Sequence, residues 1–324
     1  MNKKTLSKIS AILCLTTMLT SGLTQVSYAS SPDNLHHHYI GKIYWPPKAM
    51  RLGEAFTIKY DNGMTILMNI LAIHQQRQEL KDSHFVIEIM LKYAKKLNML
   101  SSILTEKDND GNTALKYALY NQKSFEIILK YAETAGVLKE LLTSTDNEGK
   151  TILMHAAAYD NGNQIIDLIL SYAEKNNILD TVLNATTTSE FNNCSFEHSA
   201  LTFAVECNQL NNAKKLIEKG CNGIKCLAGS RTDISVTTHK PIIKSLVQYK
   251  NFDMVKLLVE NNKLEDLKVK TILKMDINEL SKLVKENKET EVFDMLQKWS
   301  KDVSFFYGLK LSEETLLNLS TIKS

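Results

Sequence analysis

The chain has 324 residues, 44% of them hydrophobic and 23% charged, with 39 basic side chains against 36 acidic ones. That near-neutral balance, with only three arginines (Arg51, Arg77, Arg231), excludes the basic footprint a nucleic-acid backbone or an anionic membrane requires. Twelve glycines and four prolines are too few for an all-β or linker-rich chain, whereas the weight of Leu, Ile, Lys and Glu predicts a mainly helical, all-α protein.

Residues 1–29 read as a secretory signal. Met1 to Lys8 is a basic stretch, Ile9 to Leu23 is apolar but short for a membrane span, and Ser27 and Ala29 supply small residues before a cleavage point after Ala29. Cys14 lacks the small residue that precedes a lipidated cysteine. The expected location is therefore secreted or periplasmic, with no membrane attachment after cleavage. Loss of Lys3, Lys4 and Lys8 brings 39 basic residues down to 36, equal to the acidic count. Residues 30–60 carry Pro46-Pro47 and no periodicity, and are read as an extended tether. His36-His37-His38 within it could grip a transition metal, but adjacent residues preset no geometry, and a solvated tail is the better reading.

From residue 61 the chain repeats itself. "DNDGNTALKYAL" (108–119) and "DNEGKTILMHAA" (146–157) share Asp, Gly, Thr and Leu in register, and "DNGMTILMNIL" (61–71) reads as the same motif one residue shorter. Each is followed by an apolar run ending in Tyr-Ala: Tyr93-Ala94, Tyr131-Ala132 and Tyr172-Ala173. From Ala94 to Thr113 and from Ala132 to Thr151 the spacing is 19 residues, while the extra length of copy one collects at 75–84. Fixed spacing with indels confined to one loop is the behaviour of a stacked array.

Each copy has a physical reading. Asp-x-x-Gly-x-Thr predicts a turn in which Asp accepts from backbone N–H groups and Gly takes positive φ. The threonine predicts a helix cap, and a small pair such as Ala156-Ala157 an inward face. Asn98, Gly136 and Asn177, four residues past each Tyr-Ala alanine, are placed at the left-handed end of the second helix. A short helical turn is expected after each, from Met99-Leu100 and Ile103-Leu104, Val137-Leu138 and Leu141-Leu142, and Ile178-Leu179 and Val182-Leu183.

Residues 184–197, rich in Thr, Asn and Ser, are expected to form a longer loop. A fourth unit spans 199–222 and a weaker fifth lies near 241–262, so that repeats occupy 61–262. Residues 263–324 are read as a C-terminal helical cap, in which Leu280, Leu283, Val284, Val292, Leu296 and Trp299 recur at helical spacing. Of the cysteines beyond the leader, Cys194, Cys207, Cys221 and Cys226, none forms a CxxC, and structural thiols are favoured over bridges.

The fourth unit resembles an ankyrin repeat. Leu201, Ala204, Asn208, Leu216-Ile217 and Gly220-Cys221-Asn222 fall where that family has its Leu, Ala, Gly, Leu-Leu and Gly-Ala-Asp/Asn. The turns of copies two and three resemble that family's turn and helix start, although Ala114 or Ile152 replaces its Pro and Lys116 or Met154 its His. The resemblance covers about 200 residues and implies a helical repeat solenoid with short turn or hairpin connections. With its leader and its Lys-rich, Asn-rich composition, the chain is similar to exported ankyrin-repeat proteins of Rickettsia-type intracellular bacteria.

Chemistry is not encoded in any local motif. The acidic turns fail the calcium-loop pattern, because Gly111 and Leu119 stand where Asp108-based counting needs other residues. There is no GxSxG, GxxxxGK[ST], HExxH or GxGxxG, and His155, His198 and His239 stand apart from one another. No cofactor, metal site or catalytic residue is assigned. What remains is surface. The resemblance implies a concave side lined by turn tips and first helices, and by matched position that side carries Asn109, Asp110, Asn112, Tyr120 and Asn121, then Asn147, Glu148, Lys150 and Tyr159. The expected function is a non-catalytic, monomeric protein-binding scaffold, with a bacterial effector engaging a host protein as its setting. The alternatives are an exported hydrolase using the repeats for substrate binding, or a periplasmic envelope factor.

Overall fold

The computed structural model of the chain describes residue 56 and residues 59–76, 83–159, 162–191, 194–222, 242–264 and 276–308. The expected leader, nearly all of the tether with its histidine run, Cys226 and His239 lie outside the described residues. Helix accounts for 70% of the described residues, as the composition predicts. The chain divides into two compact units at Leu141/Leu142.

Unit 1 contains α1 (Ile66–Gln76), α2 (Ser83–Lys96), α3 (Leu100–Thr105), α4 (Ala114–Tyr117) running into a 310 turn (Ala118–Tyr120), and α5 (Gln122–Ala135). Helix α1 packs on α4 and α2 packs on α5, so that like meets like, while α3 wedges against α5. The Tyr-Ala alanines explain the close approach: Ala94 and Ala132 have no exposed surface, whereas Tyr93 is 40% exposed beside them. Phe125, Ile128 and Leu129 complete the inward stripe of α5. Asn98 (φ 57°) and Gly136 (φ 74°) end their helices in the left-handed region, as their residue types require. The Gly136 N–H donates back to Ala132 and Glu133 carbonyls, closing the end of α5. A further short helix, α6 (Leu138–Thr143), follows as the paired apolar pattern predicts.

Unit 2 contains α7 (Ile152–Ala158), α8 (Gly162–Lys175), α9 (Leu179–Leu183), a hairpin of β1 (Thr186–Phe191) and β2 (Cys194–Ser199), then α10 (Ala200–Glu206), α11 (Leu210–Glu218), α12 (Ile242–Tyr249), α13 (Phe252–Glu260), α14 (Ile277–Lys285) and α15 (Glu289–Gly308). Helices α7, α10 and α12 pack in succession, and so do α8, α11 and α13. The last pair exchanges rows: α14 packs on α13 and the 20-residue α15 packs on α12. The six apolar residues expected to line this pair are all buried. Helices α8, α10, α11, α12, α13 and α14 are followed by Asn177, Asn208, Gly220, Lys250, Asn262 and Asn287 at positive φ, whereas α7 and α9 end on Tyr159 and Asn184 at negative φ; Lys250 is the exception to the Asn/Gly preference.

Two expectations need correction. Residues 184–197 are no loop but most of an antiparallel hairpin, with Thr186 opposite Ser199 and Phe191 opposite Cys194. The run of β-branched threonines favours extended backbone. Copy one is also not shorter. Tyr60 occupies the place of Asp108 and Asp146: the Tyr60, Asp108 and Asp146 N–H groups bond to Met64, Asn112 and Lys150 carbonyls at 3.0, 3.0 and 3.1 Å.

Candidate protein-binding surface

The repeated turn is built from one carboxylate. In copy two Asp108 Oδ1 accepts from the N–H groups of Asp110 (2.9 Å) and Asn112 (2.8 Å), and Gly111 sits at φ 81°. Asp108 Oδ2 accepts from Asn112 Nδ2 at 3.3 Å and from the Tyr117 hydroxyl at 2.5 Å. Burial, and then the Asp108 carboxylate beside it, push the Tyr117 phenol far above its ordinary range, so it remains a donor. In copy three Asp146 Oδ1 accepts from Glu148 (3.0 Å) and Lys150 (2.8 Å), while Oδ2 is 2.7 Å from His155 Nε2. Copy one has Tyr60 in that place, its phenol raised by burial and drawn partly back down by the nearby Asn69 side chain. In copies two and three, the residue opening the turn is latched to the first turn of the helix it introduces. That fixes the angle at which the tip leaves the helix.

The capping threonines divide. Thr151 and Thr65 Oγ1 accept from Met154 and Met68 N–H groups at 3.4 Å. Thr113 forms no side-chain cap.

Turn tips also rest on one another within each unit. The Asn109 N–H donates to the Asn62 carbonyl, and Asn109 Nδ2 to the Asp61 carbonyl, both at 3.0 Å. In unit 2 the Thr187 hydroxyl donates to the Glu148 carbonyl at 3.3 Å. Gly63 and Gly149 permit this: a Cβ on either would collide with Asn109 or Thr187.

The expected surface residues therefore separate into two groups. Asp110, Tyr120 (46% exposed), Asn147 and Glu148 are solvent-facing. Asn109 is exposed but spends its amide on the neighbouring turn. Asn112 is buried against Asp108 and accepts from Lys116 Nζ at 3.3 Å, so it belongs to the turn's interior and not to a surface. Asn121 caps α5, accepting from the Ser124 N–H at 2.9 Å. The Lys150 side chain is only 14% exposed; it pairs with Glu148 and lies 5.4 Å from the centroid of the Phe203 ring. Tyr159 caps α7, and its carbonyl accepts from buried Asn212 Nδ2 at 2.8 Å. The two tyrosines are not equivalent: with Thr113 and Thr151 superposed, Tyr120 matches Ala158 and Tyr159 matches Asn121. The 310 turn ending on Tyr120 replaces the last part of the longer α7.

Three exposed apolar side chains escaped sequence reasoning: Tyr93, Leu97 and Tyr249. Tyr93 was hidden by its motif, since Tyr131 in the same motif is buried. Cys221 is buried and burial pushes its thiol up to about 11; Cys207 is exposed, though burial of its sulfur and then Glu206 raise it as well. Both are free thiols of low reactivity. Among the described residues no group of three or more His, Cys, Asp or Glu side chains could hold a metal ion, and no helix is long and apolar enough to cross a membrane. No protein-family model matches the chain, and no curated protein matches it significantly.

Proposed function

We propose that the chain is an exported, non-catalytic protein-binding scaffold, in which ankyrin-like units present their turn tips and first helices to a partner protein. The observation that carries this reading is the recurrence of one rigid turn with a solvent-facing tip. Asp108 and Asp146 each spend both carboxylate oxygens inside their turns, while Asp110, Tyr120, Asn147 and Glu148 are exposed to solvent. A preorganised tip loses little entropy on binding, and a half-exposed tyrosine is a hot-spot residue type. Repetition of a structural turn without a repeated chemical group suits recognition better than catalysis.

The test is affinity capture on the full chain, wild type against Tyr120→Ala with Asp110→Ala, and separately Asn147→Ala with Glu148→Ala. These substitutions leave the carboxylate latches intact. Loss of about tenfold in affinity for one captured protein is expected from either pair; an unchanged set of partners at unchanged affinity removes the turn tips from the binding surface. Fractionation of the producing cells tests export, and recovery with the cytoplasm refutes it.

A further inference from the structure

The same motif position is closed on one helix of unit 1 and open on another. Tyr131 on α5 is 9% exposed, whereas Tyr93 on α2 is 40% exposed. Helix α2 makes the difference: burial raises the Tyr131 phenol, and Lys92 and Glu88 of α2 act on it in opposite senses, so that side of α5 faces α2. The matching side of α2 faces away from α5. It carries Val86, Ile89, Tyr93 and Leu97, the counterparts of Ser124, Ile127, Tyr131 and Ala135. Steps of three, four and four residues set all four on one stripe. The Leu97 N–H donates to the Tyr93 carbonyl at 3.0 Å, which carries the helical turn past Lys96.

On α5 this side is covered: Ser124 and Tyr131 are buried, and Ile127 and Ala135 half-buried. On α2 it opens toward the helix end, where Val86 and Ile89 are half-buried and Tyr93 and Leu97 exposed. Lys96 Nζ stands 5.5 Å from the centre of the Tyr93 ring and shields little of it. A stacked array normally ends on a polar outer side. The closing pair α14 and α15 follows that rule, with Asn278, Lys282 and Lys285 exposed. The stripe on α2 breaks it.

Residues 86–97 make the stripe about 18 Å long and, at one helix width, about 200 Å² in area. A stable dimer buries about 800 Å² on each partner, so a second copy held by this stripe alone would not persist. A segment already joined to unit 1 needs far less, because its effective concentration is high. The chain enters unit 1 at Phe56, which is buried, and at Lys59, which bridges to Thr65 and lies 2.9 Å from Glu106. Glu106 follows α3, and α3 follows the end of α2 that bears Tyr93 and Leu97. Upstream of that entry, outside the described residues, "YIGKIYWPP" (39–47) gathers Tyr39, Ile40, Ile43, Tyr44 and Trp45. Fully extended, residues 48–55 reach about 27 Å, enough to cross the roughly 8–10 Å to a neighbouring helix and arrive on the stripe.

We propose that residues 39–47 lie along Val86, Ile89, Tyr93 and Leu97 and close the open side of α2, in the place a preceding unit would fill. The closure does not rest on the function proposed above. It assigns this side of α2 to the chain itself and leaves the turn tips to a partner.

Trp45 and Trp299 are the two tryptophans of the chain, and Trp299 is buried in α15. In the full chain carrying Trp299→Phe, Trp45 emission should be blue-shifted and weakly quenched by iodide. Tyr93→Ala with Leu97→Ala, at exposed positions outside the core, should shift that emission to the red and raise quenching to the level of a free tryptophan amide. If Trp299→Phe does not fold, the difference spectrum between wild type and Trp45→Phe gives the same reading. Red-shifted, freely quenched Trp45 in the parent chain overturns the proposal, and so does a blue-shifted Trp45 that the stripe variant leaves unchanged. Emission that moves to the red on dilution overturns it too, because a second copy would then be the occupant. Tyr120→Ala should leave Trp45 emission unaltered, which keeps this result separate from partner binding at the turn tips.

Discussion

Gly149→Ala is the sharpest test of how the hairpin meets the preceding turn. Gly149 has φ 76°, where an alanine costs roughly 1–2 kcal/mol, part of it returned by a less flexible unfolded chain. Its added Cβ would also drive into the Thr187 hydroxyl and stand 3.3 Å from Thr187 Cβ. Overpacking of that kind costs about 1–3 kcal/mol, and displacing Thr187 from the Glu148 carbonyl about 1 kcal/mol more. Gly220, also in unit 2, is the control: its φ is 86° and nothing lies within 4 Å of the added methyl. Urea unfolding should therefore show a loss of about 1 kcal/mol for Gly220→Ala and about 3 kcal/mol for Gly149→Ala. Thr187→Ala should recover most of the difference when combined with Gly149→Ala, because it removes the atom struck. Equal losses at the two glycines, or strict additivity in the double variant, would refute the contact between hairpin and turn.

Asp108→Ala should destabilise unit 1 by about 2–3 kcal/mol by urea unfolding, since it strands two N–H donors and a half-buried phenol, whereas Tyr117→Phe should cost about 1–2 kcal/mol. Ala132→Leu should cost about 1–3 kcal/mol, because no space exists beside α5 at that residue. Lys250→Asn should stabilise unit 2 by up to about 1 kcal/mol by relieving a lysine at φ 47°. Native Cys221 should stay unlabelled by a thiol reagent at pH 8 and become reactive only as pH approaches 11; rapid labelling at pH 8 would contradict its burial.

What could be read from the residues follows from what each repeat needs locally. Turn glycines, left-handed helix ends and buried alanines are demanded by backbone geometry or close approach, and those positions agree with the structure at Gly111, Asn98, Asn177 and Ala94. The hairpin reads as a loop because Thr, Ser and Asn are polar turn formers, and only the threonines carry the β-branching that favours a strand. Copy one looks a residue short because Tyr60, which makes the same backbone bond as Asp108 and Asp146, has no carboxylate to mark its place. The surface was the least legible. Asn112, Asn121 and Lys150 look like solvent residues, yet each is spent on a cap, a latch or an aromatic ring. A polar side chain's partner lies elsewhere in the fold, and local spacing does not say where.

The exchanged packing of the final helices limits how a chain of this kind changes length. Helix α15 closes the ledge that α12 would otherwise offer to a following first helix, and α14 closes the one beside α13. A duplicated module joined after residue 308 would find both ledges taken. Splicing upstream of Asp276, between existing neighbours, changes copy number with the terminal pair carried along unchanged.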